Sequence, residues 1–459
     1  MKSWKHQIDA VNYLMDRVSR DLYYGGLYTD MGSGKTKIMI DFMNKLKLNK
    51  VIVLCPQKAI ATWDEEFVKH SACPFNLIRI DKLKAGIRIE QIEKELQKGI
   101  LNVLVINYEM IWREPLKSYV LNKFGADFVV CDESHRIKGA GSKVSKVLQV
   151  LGRRVKYRYL MTGTPLGDSP LDIYGQYRFL DEKIFGTRKR DFENEYANWV
   201  ESDGLRWLDK RNPYKNLRKL RKKIFSCAFS VKVYQDLPRV RTIKVFYDIS
   251  SKAKKLYKEL QDENSILMGE DTLTISNIMN MIMRLQQITS GYLVLETPDH
   301  KKITKLIDDS RMKCLEDLIT GLPKDEPIVI FCKYRQNIKD VLKVMNGLGR
   351  SCAEISGKVN QKDAFNAGQY NSVVVQISSG AEAISLVRAR YCIYYTLDHS
   401  LMKWKQSRKR VHRPGQTRNV TYYVILAKNT VDTAIYLSLK NKHEIIQEVM
   451  KHRKIEEGI

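Results

Sequence analysis

The chain has 459 residues, 44% of them apolar, and carries 79 Lys and Arg against 52 Asp and Glu, a formal net charge of +27. That length exceeds one ordinary hydrophobic core and predicts two or three domains. No apolar run is long enough to cross a membrane, and the N-terminus lacks the apolar centre of a signal peptide, so an intracellular, cytoplasmic setting is expected.

The positive surplus makes polyanions the default partner, with nucleic acid the commonest of them and a basic surface without a partner the plain alternative. The eight cysteines are scattered without zinc-knuckle or redox spacing. That predicts free thiols in a reducing compartment, and no zinc.

In chain order, Trp4, Ile8, Val11, Leu14 and Met15 recur at helical spacing and predict an amphipathic helix. Its first turn holds Gln7, whose amide suits an adenine edge or a solvated position. Gly26 to Thr36 then runs from a short apolar segment into a glycine-spaced turn and a helical stretch, the context of a phosphate cradle. Met31, Gly32, Ser33, Gly34, Lys35 and Thr36 form it. Gly32 and Gly34 let backbone N–H groups approach phosphate oxygens. Lys35 would reach the β- and γ-phosphates of a nucleotide such as ATP, and Thr36 would place its hydroxyl on Mg²⁺. Thr29 stands where the first glycine of the P-loop pattern belongs, and an ordinary glycine turn is the alternative.

The apolar runs Val51–Leu54, Leu101–Ile106 and Phe128–Val130, separated by helical stretches, predict a parallel sheet with helices on both faces and ligands at the carboxyl ends of its strands. The third run ends in Cys131-Asp132-Glu133-Ser134-His135. Asp132 can hold Mg²⁺ and Glu133 can polarise the attacking water, unless the two are only capping acids. Tyr159 to Pro165 is another strand, ending in Thr162 and Thr164.

Alternation then stops. Arg188, Lys189 and Arg190 form one basic cluster, and a second runs from Arg206 to Lys223. Leu217, Leu220 and Ile224 share one helical face within it. This predicts a docked helix with a cationic outer side, either simply solvated or tracking phosphates. Leu237-Pro238 marks a lobe boundary. Lys252–Leu267 and Ile275–Thr289 are predicted helices, with Met279, Met281 and Met283 as core filling. A second α/β run begins at Ile328–Phe331 and continues through the helix Ile338–Met345 to Val373–Ile377 and Tyr391–Tyr395. Finally, Arg410 and Arg413, three apart, are expected on one helical face pointing at a phosphate. Arginines from a second lobe stabilise charge on a transferring γ-phosphoryl group, whereas a plain basic helix would only bind nucleic acid.

The order of these motifs resembles the Swi/Snf-type branch of helicase superfamily two, from about Trp4 to about Leu439. The signs are Asp30-Met31-Gly32-Ser33-Gly34-Lys35-Thr36, Pro56 with Trp63 and Glu66-Phe67, Asn107-Tyr108-Glu109, Asp132-Glu133-Ser134-His135-Arg136-Ile137-Lys138, Thr162-Gly163-Thr164-Pro165-Leu166 and Arg410-Val411-His412-Arg413-Pro414-Gly415-Gln416. Their wording is most similar to the annealing-helicase subgroup.

The resemblance implies an α/β fold of two tandem RecA-like lobes. Residues 1–236 would form the first, with a helical basic insertion at about 166–232, and residues 237–459 the second, with a helical insertion at about 250–290. It implies an ATP-driven, Mg²⁺-dependent motor that tracks duplex or branched DNA and remodels, reanneals or clears it. A strand-separating helicase and a nucleotide-switched binding scaffold are the alternatives.

Position by position, the resemblance gives Gln7 to adenine, Lys35 and Thr36 to phosphate and Mg²⁺, Asp132 and Glu133 to hydrolysis, and Arg410 and Arg413 to the arginine fingers. His135, Thr162 and Thr164 would couple nucleotide state to DNA. Lys58, Trp63, Asn107, Tyr108, Lys333, Ser378, Ser379 and Gln406 would serve DNA contact or coupling.

Three departures stand out. Cys227 and Ala228 replace paired arginines, Glu382 interrupts the glycine-rich segment Gly380–Leu386, and Pro414 replaces a branched apolar residue and bears on where the arginine helix ends. The chain is also short for this branch. A bacterial, archaeal or viral form is expected, targeted by a protein partner or by DNA structure.

Overall fold

The computed structural model describes residues 3–30, 32–80, 89–202, 205–231, 237–269, 275–296, 302–378 and 384–450. The chain divides into two compact units, Met1–Tyr234 with Glu444–Ile459, and Gln235–His443. Among the described residues no helix is long and apolar enough to cross a membrane.

The first unit contains strands β1 (Tyr24–Leu27), β2 (Lys50–Cys55), β3 (Phe75–Ile80), β4 (Leu101–Asn107), β5 (Phe128–Asp132), β6 (Tyr157–Met161), β7 (Trp199–Ser202), β8 (Leu205–Leu208) and β9 (Ala228–Phe229). Seven form one sheet in the order β3-β4-β2-β5-β6-β1-β9, parallel throughout. Every residue of β4 is buried, as a strand covered on both faces requires. The helices Lys5–Ser19 and Lys35–Met43 cover part of the sheet, contributing Ala10, Leu14, Ile38 and Phe42 to a core shared with Val53, Val105 and Val130.

Register fixes what this sheet presents. Leu27 pairs with Met161, and Met161 with Asp132. The segments that follow β1, β5 and β6 therefore leave the sheet at one level, which puts the glycine turn, the acid pair and the threonines side by side.

The second unit contains β10 (Val240–Tyr247), β11 (Tyr292–Glu296), β12 (Lys302–Leu306), β13 (Ile328–Cys332), β14 (Cys352–Ile355), β15 (Ser372–Gln376), β16 (Tyr391–Tyr394) and β17 (Val420–Ala427). Its six-stranded parallel sheet has the order β10-β17-β16-β13-β15-β14. Arg311 and Asp432, both almost fully buried, form an ion pair within this unit. Arg311 also donates to Tyr247 Oη (2.8 Å), and Thr289 Oγ1 donates to Asp432 Oδ1 (3.0 Å).

The segment between β6 and β9 departs from the expectation of a helical insertion. The helices Ile173–Leu180, Lys189–Tyr196 and Leu217–Phe225 are joined by an antiparallel hairpin, β7–β8. The helix Leu217–Phe225 buries Leu220 and Ile224 and exposes Arg218, Lys219 and Lys222, while Lys223 turns inward to donate to the Ile184 carbonyl (3.1 Å). In the second unit the helices Ser251–Gly269 and Ile275–Thr289 are present. Met281 packs against the core there, Met283 is exposed rather than core-filling, and the Met279 side chain lies outside the described residues.

Candidate nucleotide site and nucleic-acid contacts

The turn between β1 and the helix Lys35–Met43 depends on two left-handed glycines, Gly32 (φ 82°) and Gly34 (φ 78°). A Cβ at Gly34 would stand 2.3 Å from Gln7 Nε2, whereas one at Gly32 would meet nothing within 4 Å. The turn is thus sealed beneath and open above.

Its carbonyls are engaged from within. Lys35 Nζ donates to the Thr29 and Asp30 carbonyls (3.1 and 3.0 Å). The Ser33 carbonyl accepts from Gln7 Nε2 (3.1 Å) and lies 2.9 Å from His6 Nε2. With its acceptors held internally and a helix N-terminus behind it, the turn suits an anion. Gln7 is buried and takes the Trp4 N–H on its Oε1 (3.0 Å), so its amide shapes the turn itself. The position of His6 beside Gln7 is its only mark in the sequence. Thr36 lies half-buried in the first helical turn, and Met31 lies outside the described residues.

At the end of β5 two carboxylates behave oppositely. Asp132 Oδ2 accepts from the Trp63 indole N–H (3.1 Å), and Oδ1 from the Glu133 N–H (2.9 Å). Burial, with the Glu133 charge beside it, pushes the Asp132 pKa up to about 6. Glu133 is a non-glycine residue with φ 51° and ψ 52°, a left-handed conformation that costs on the order of 1 kcal/mol and aims its side chain back over the sheet edge. Its Oε2 accepts from Thr162 Oγ1 (3.0 Å) and lies 3.3 Å from His135 Nδ1. Burial works to raise this carboxyl, but His135, Lys35 and Thr162 together outweigh it and hold the pKa down at about 2. The pair thus combines an ionised base with a carboxyl that lacks a full counter-charge, and the latter fits a cation.

The predicted threonines belong to the same cluster. Thr162 Oγ1 donates to Glu133, accepts from the Thr164 N–H (3.1 Å) and lies 3.4 Å from His135 Nδ1. Trp63, Asn107 and Tyr108 are buried, which suits coupling rather than contact with a polymer. Tyr108 Oη donates to the Asp132 carbonyl (2.6 Å), and Asn107 bonds Gln57. Lys58 is exposed just after β2. Gln176 carries no motif or spacing signal. It sits in the helix Ile173–Leu180, is fully buried, and accepts from Ser134 Oγ (2.8 Å).

In the second unit Lys333 follows β13. Its Nζ donates to Gln286 Oε1 (2.6 Å) and lies 2.8 Å from His399 Nε2. Burial lowers the Lys333 pKa to about 8, against Asp398 and with the help of Lys403. Burial and the Lys333 charge likewise lower His399, to about 4. Ser378 is exposed after β15, Gln406 is buried, and Ser379 lies outside the described residues.

The two arginines correct the helical expectation. The helix Leu401–Val411 stops before Arg413, and its C-cap His412 has φ −93° and ψ 86°. Arg413 precedes Pro414, which disfavours the helical conformation there, so the two do not share a helical face. Arg410 is buried, with Nη1 donating to the Ile384 carbonyl (3.4 Å), whereas Arg413 is half-buried in the following turn.

Two parallel-sheet lobes, the first carrying a phosphate-type turn and an acid pair at adjacent strand ends, define a helicase-like P-loop protein. The SNF2-related domain family matches residues 6–291, and the helicase conserved C-terminal domain matches residues 310–415. The chain belongs to the SNF2-related family.

Among its relatives is the mouse SWI/SNF-related matrix-associated actin-dependent regulator of chromatin subfamily A member 1, 24% identical over 94% of this chain and 42% of that protein. Another is an uncharacterized ATP-dependent helicase of Mycoplasma genitalium, 22% identical over 97% of this chain and 42% of that protein. The chain therefore spans about two fifths of the length of these relatives. The solved Sulfolobus solfataricus SWI2/SNF2 ATPase core in complex with dsDNA is 20% identical, with a TM-score of 0.44 over 98% of this chain and 93% of that one.

Proposed function

We propose that the chain is a nucleic-acid-stimulated ATPase that translocates on duplex or branched DNA and remodels, reanneals or clears it. The lobes are assigned to residues 1–236 and 237–459, and the setting is intracellular, with targeting by a protein partner or by DNA structure. The observation that carries this reading is the cluster Glu133–Thr162–His135, bonded across two strand ends beside the glycine turn.

In this reading the turn Gly32–Thr36 binds the phosphates of ATP, Lys35 swings from the Thr29 and Asp30 carbonyls to the β- and γ-phosphates, and Gln7 contacts adenine. Thr36 and Asp132 hold Mg²⁺, a hard cation suited to hydroxyl and carboxylate oxygens. When bound, it neutralises phosphoryl charge. Glu133, kept ionised, orients and polarises the attacking water. Arg410 and Arg413 bear on the transferring phosphoryl group. Lys58, Lys333, Ser378 and Ser379 hold the DNA backbone, while Trp63, Asn107, Tyr108, His135, Thr162, Thr164 and Gln406 transmit nucleotide state. Binding through Lys and Arg also predicts affinity that falls steeply with salt and depends little on base sequence.

The test is a pair of variants. Lys35→Ala and Glu133→Gln should abolish ATP turnover and leave DNA binding largely intact, and equal loss of DNA binding in both would sink the reading. One observation favours strand separation as a second reading. The β7–β8 hairpin in the basic insertion exposes Val200 and Trp207, cross-strand neighbours on one face, where an unpaired base can stack. Displacement on forked DNA that fails in Trp207→Ala would support it, and absence of displacement in the wild type would end it.

A further inference from the structure

The segment after the acid pair is clamped to the segment after Thr164 at three points, all through the helix Ile173–Leu180 or its N-terminal approach. First, Gln176 uses its whole amide. Oε1 accepts from Ser134 Oγ (2.8 Å), and Nε2 donates to the carbonyls of Pro165 (2.6 Å) and Asp172 (3.0 Å).

Second, Gly175 lets the helix lie backbone to backbone on the acid segment. A Cβ there would fall 2.4 Å from the Ile137 carbonyl oxygen and 2.5 Å from that of Lys138. Third, Lys138 Nζ pairs with Asp168 (3.1 Å) and Asp172 (3.2 Å).

The same helix and approach are bonded to the cationic part of the insertion. Tyr177 Oη donates to the Ile224 carbonyl (2.7 Å), which ties them to the cationic helix Leu217–Phe225. Tyr214 Oη donates to Ser169 Oγ (3.0 Å). A side chain so fully bonded and buried has one arrangement, and moving Ser134 without moving Pro165 would break it.

We infer that Gln176 is a positioning residue that makes the hydrolytic loop and the basic insertion move as one body, so that nucleotide state at Glu133 is felt by the cationic face of Leu217–Phe225. This deepens the proposed function and rests on it. Gln176 touches neither substrate nor reacting atoms. It acts through Ser134 and Pro165, on the segments that carry Glu133 and Thr164.

Gln176→Met keeps the volume and removes every hydrogen bond, so packing is preserved. Steady-state ATP hydrolysis is measured with and without duplex DNA, alongside DNA affinity and the thermal midpoint. Loss of positioning predicts that stimulation by DNA falls about tenfold while basal turnover and DNA affinity stay within about threefold. Tyr177→Phe, which cuts the tie to the basic helix together with the Tyr177 hydroxyl's contacts to Tyr28 and Cys227, should lower stimulation in the same direction. In a cycle with Ser134→Ala, the double variant should be no worse than Gln176→Met alone.

A parallel fall of basal and stimulated turnover with a lowered thermal midpoint would show a merely structural role and overturn the inference. So would full stimulation in Gln176→Met when the wild type is stimulated. Turnover that ignores DNA in the wild type would overturn the proposed function, and this inference with it.

Discussion

Replacing Thr162 by valine tests the cluster at the acid pair with almost no change of shape. The hydroxyl is fully buried and makes two directed bonds, donating to Glu133 Oε2 at 3.0 Å and accepting from the Thr164 N–H at 3.1 Å. A hydrogen bond to a charged group contributes about 1.5–3 kcal/mol. His135 Nδ1 remains 3.3 Å from the same carboxylate oxygen, so the lower part of that range applies. If the bond holds Glu133 where it must act on water, turnover falls about tenfold, at about 1.4 kcal/mol per decade. Thr164 is only half-buried, so its freed N–H can reach water and the fold should lose little stability. The assay is ATP hydrolysis at saturating nucleotide and DNA, with a thermal melt as control. Turnover within twofold of the wild type, or a loss that tracks unfolding, would refute the argument.

Gly34→Ala combines a left-handed backbone, costing on the order of 1–2 kcal/mol, with a Cβ 2.3 Å from Gln7 Nε2. Nucleotide affinity by fluorescent-analogue titration should fall by more than about tenfold, while Gly141→Ala, where a Cβ meets nothing within 4 Å, should leave it unchanged. The Lys333 ammonium is charged below its pKa of about 8 and neutral above it. DNA affinity should therefore decline as pH rises through about 8, and Lys333→Arg, which stays charged, should remove that inflection; a flat profile in the wild type would contradict the assignment of Lys333 to phosphate. Asp432→Ala leaves Arg311 charged, buried and unpaired, a loss of about 3–5 kcal/mol. For a unit of this size the thermal midpoint should drop by about 6–20 °C, measured by calorimetry.

The parts of the site that lie within one segment were legible. Gly32, Gly34, Lys35 and Thr36 are contiguous, and the acid pair ends a strand whose apolar run is continuous, so spacing alone announces them. What needed the fold was anything made by two segments. Gln176 is one glutamine in an apolar helix, and only register and packing bring it to Ser134. The resemblance leaves Trp63 between DNA contact and coupling, and only the fold shows it buried with its indole N–H on Asp132. Arg413 leaves the expected helical face because the helix ends at Val411, ahead of the residue that Pro414 disfavours in helical conformation. Strands β10 and β14, among others, carry no continuous apolar run, because the first is charged and the second short, and sheet pairing decides them instead. The β7–β8 hairpin did leave a mark, the Asp203-Gly204 dipeptide between Trp199-Val200 and Trp207-Leu208, which is a hairpin signal outweighed by the surrounding charge.

The most direct measurement is steady-state ATP hydrolysis by the purified chain without nucleic acid, then with single-stranded DNA, duplex DNA, forked DNA and duplex RNA. Strong stimulation by duplex or forked DNA is the predicted result. Stimulation by single strands or RNA alone, or turnover unmoved by any of them, would contradict the account of a duplex-tracking motor.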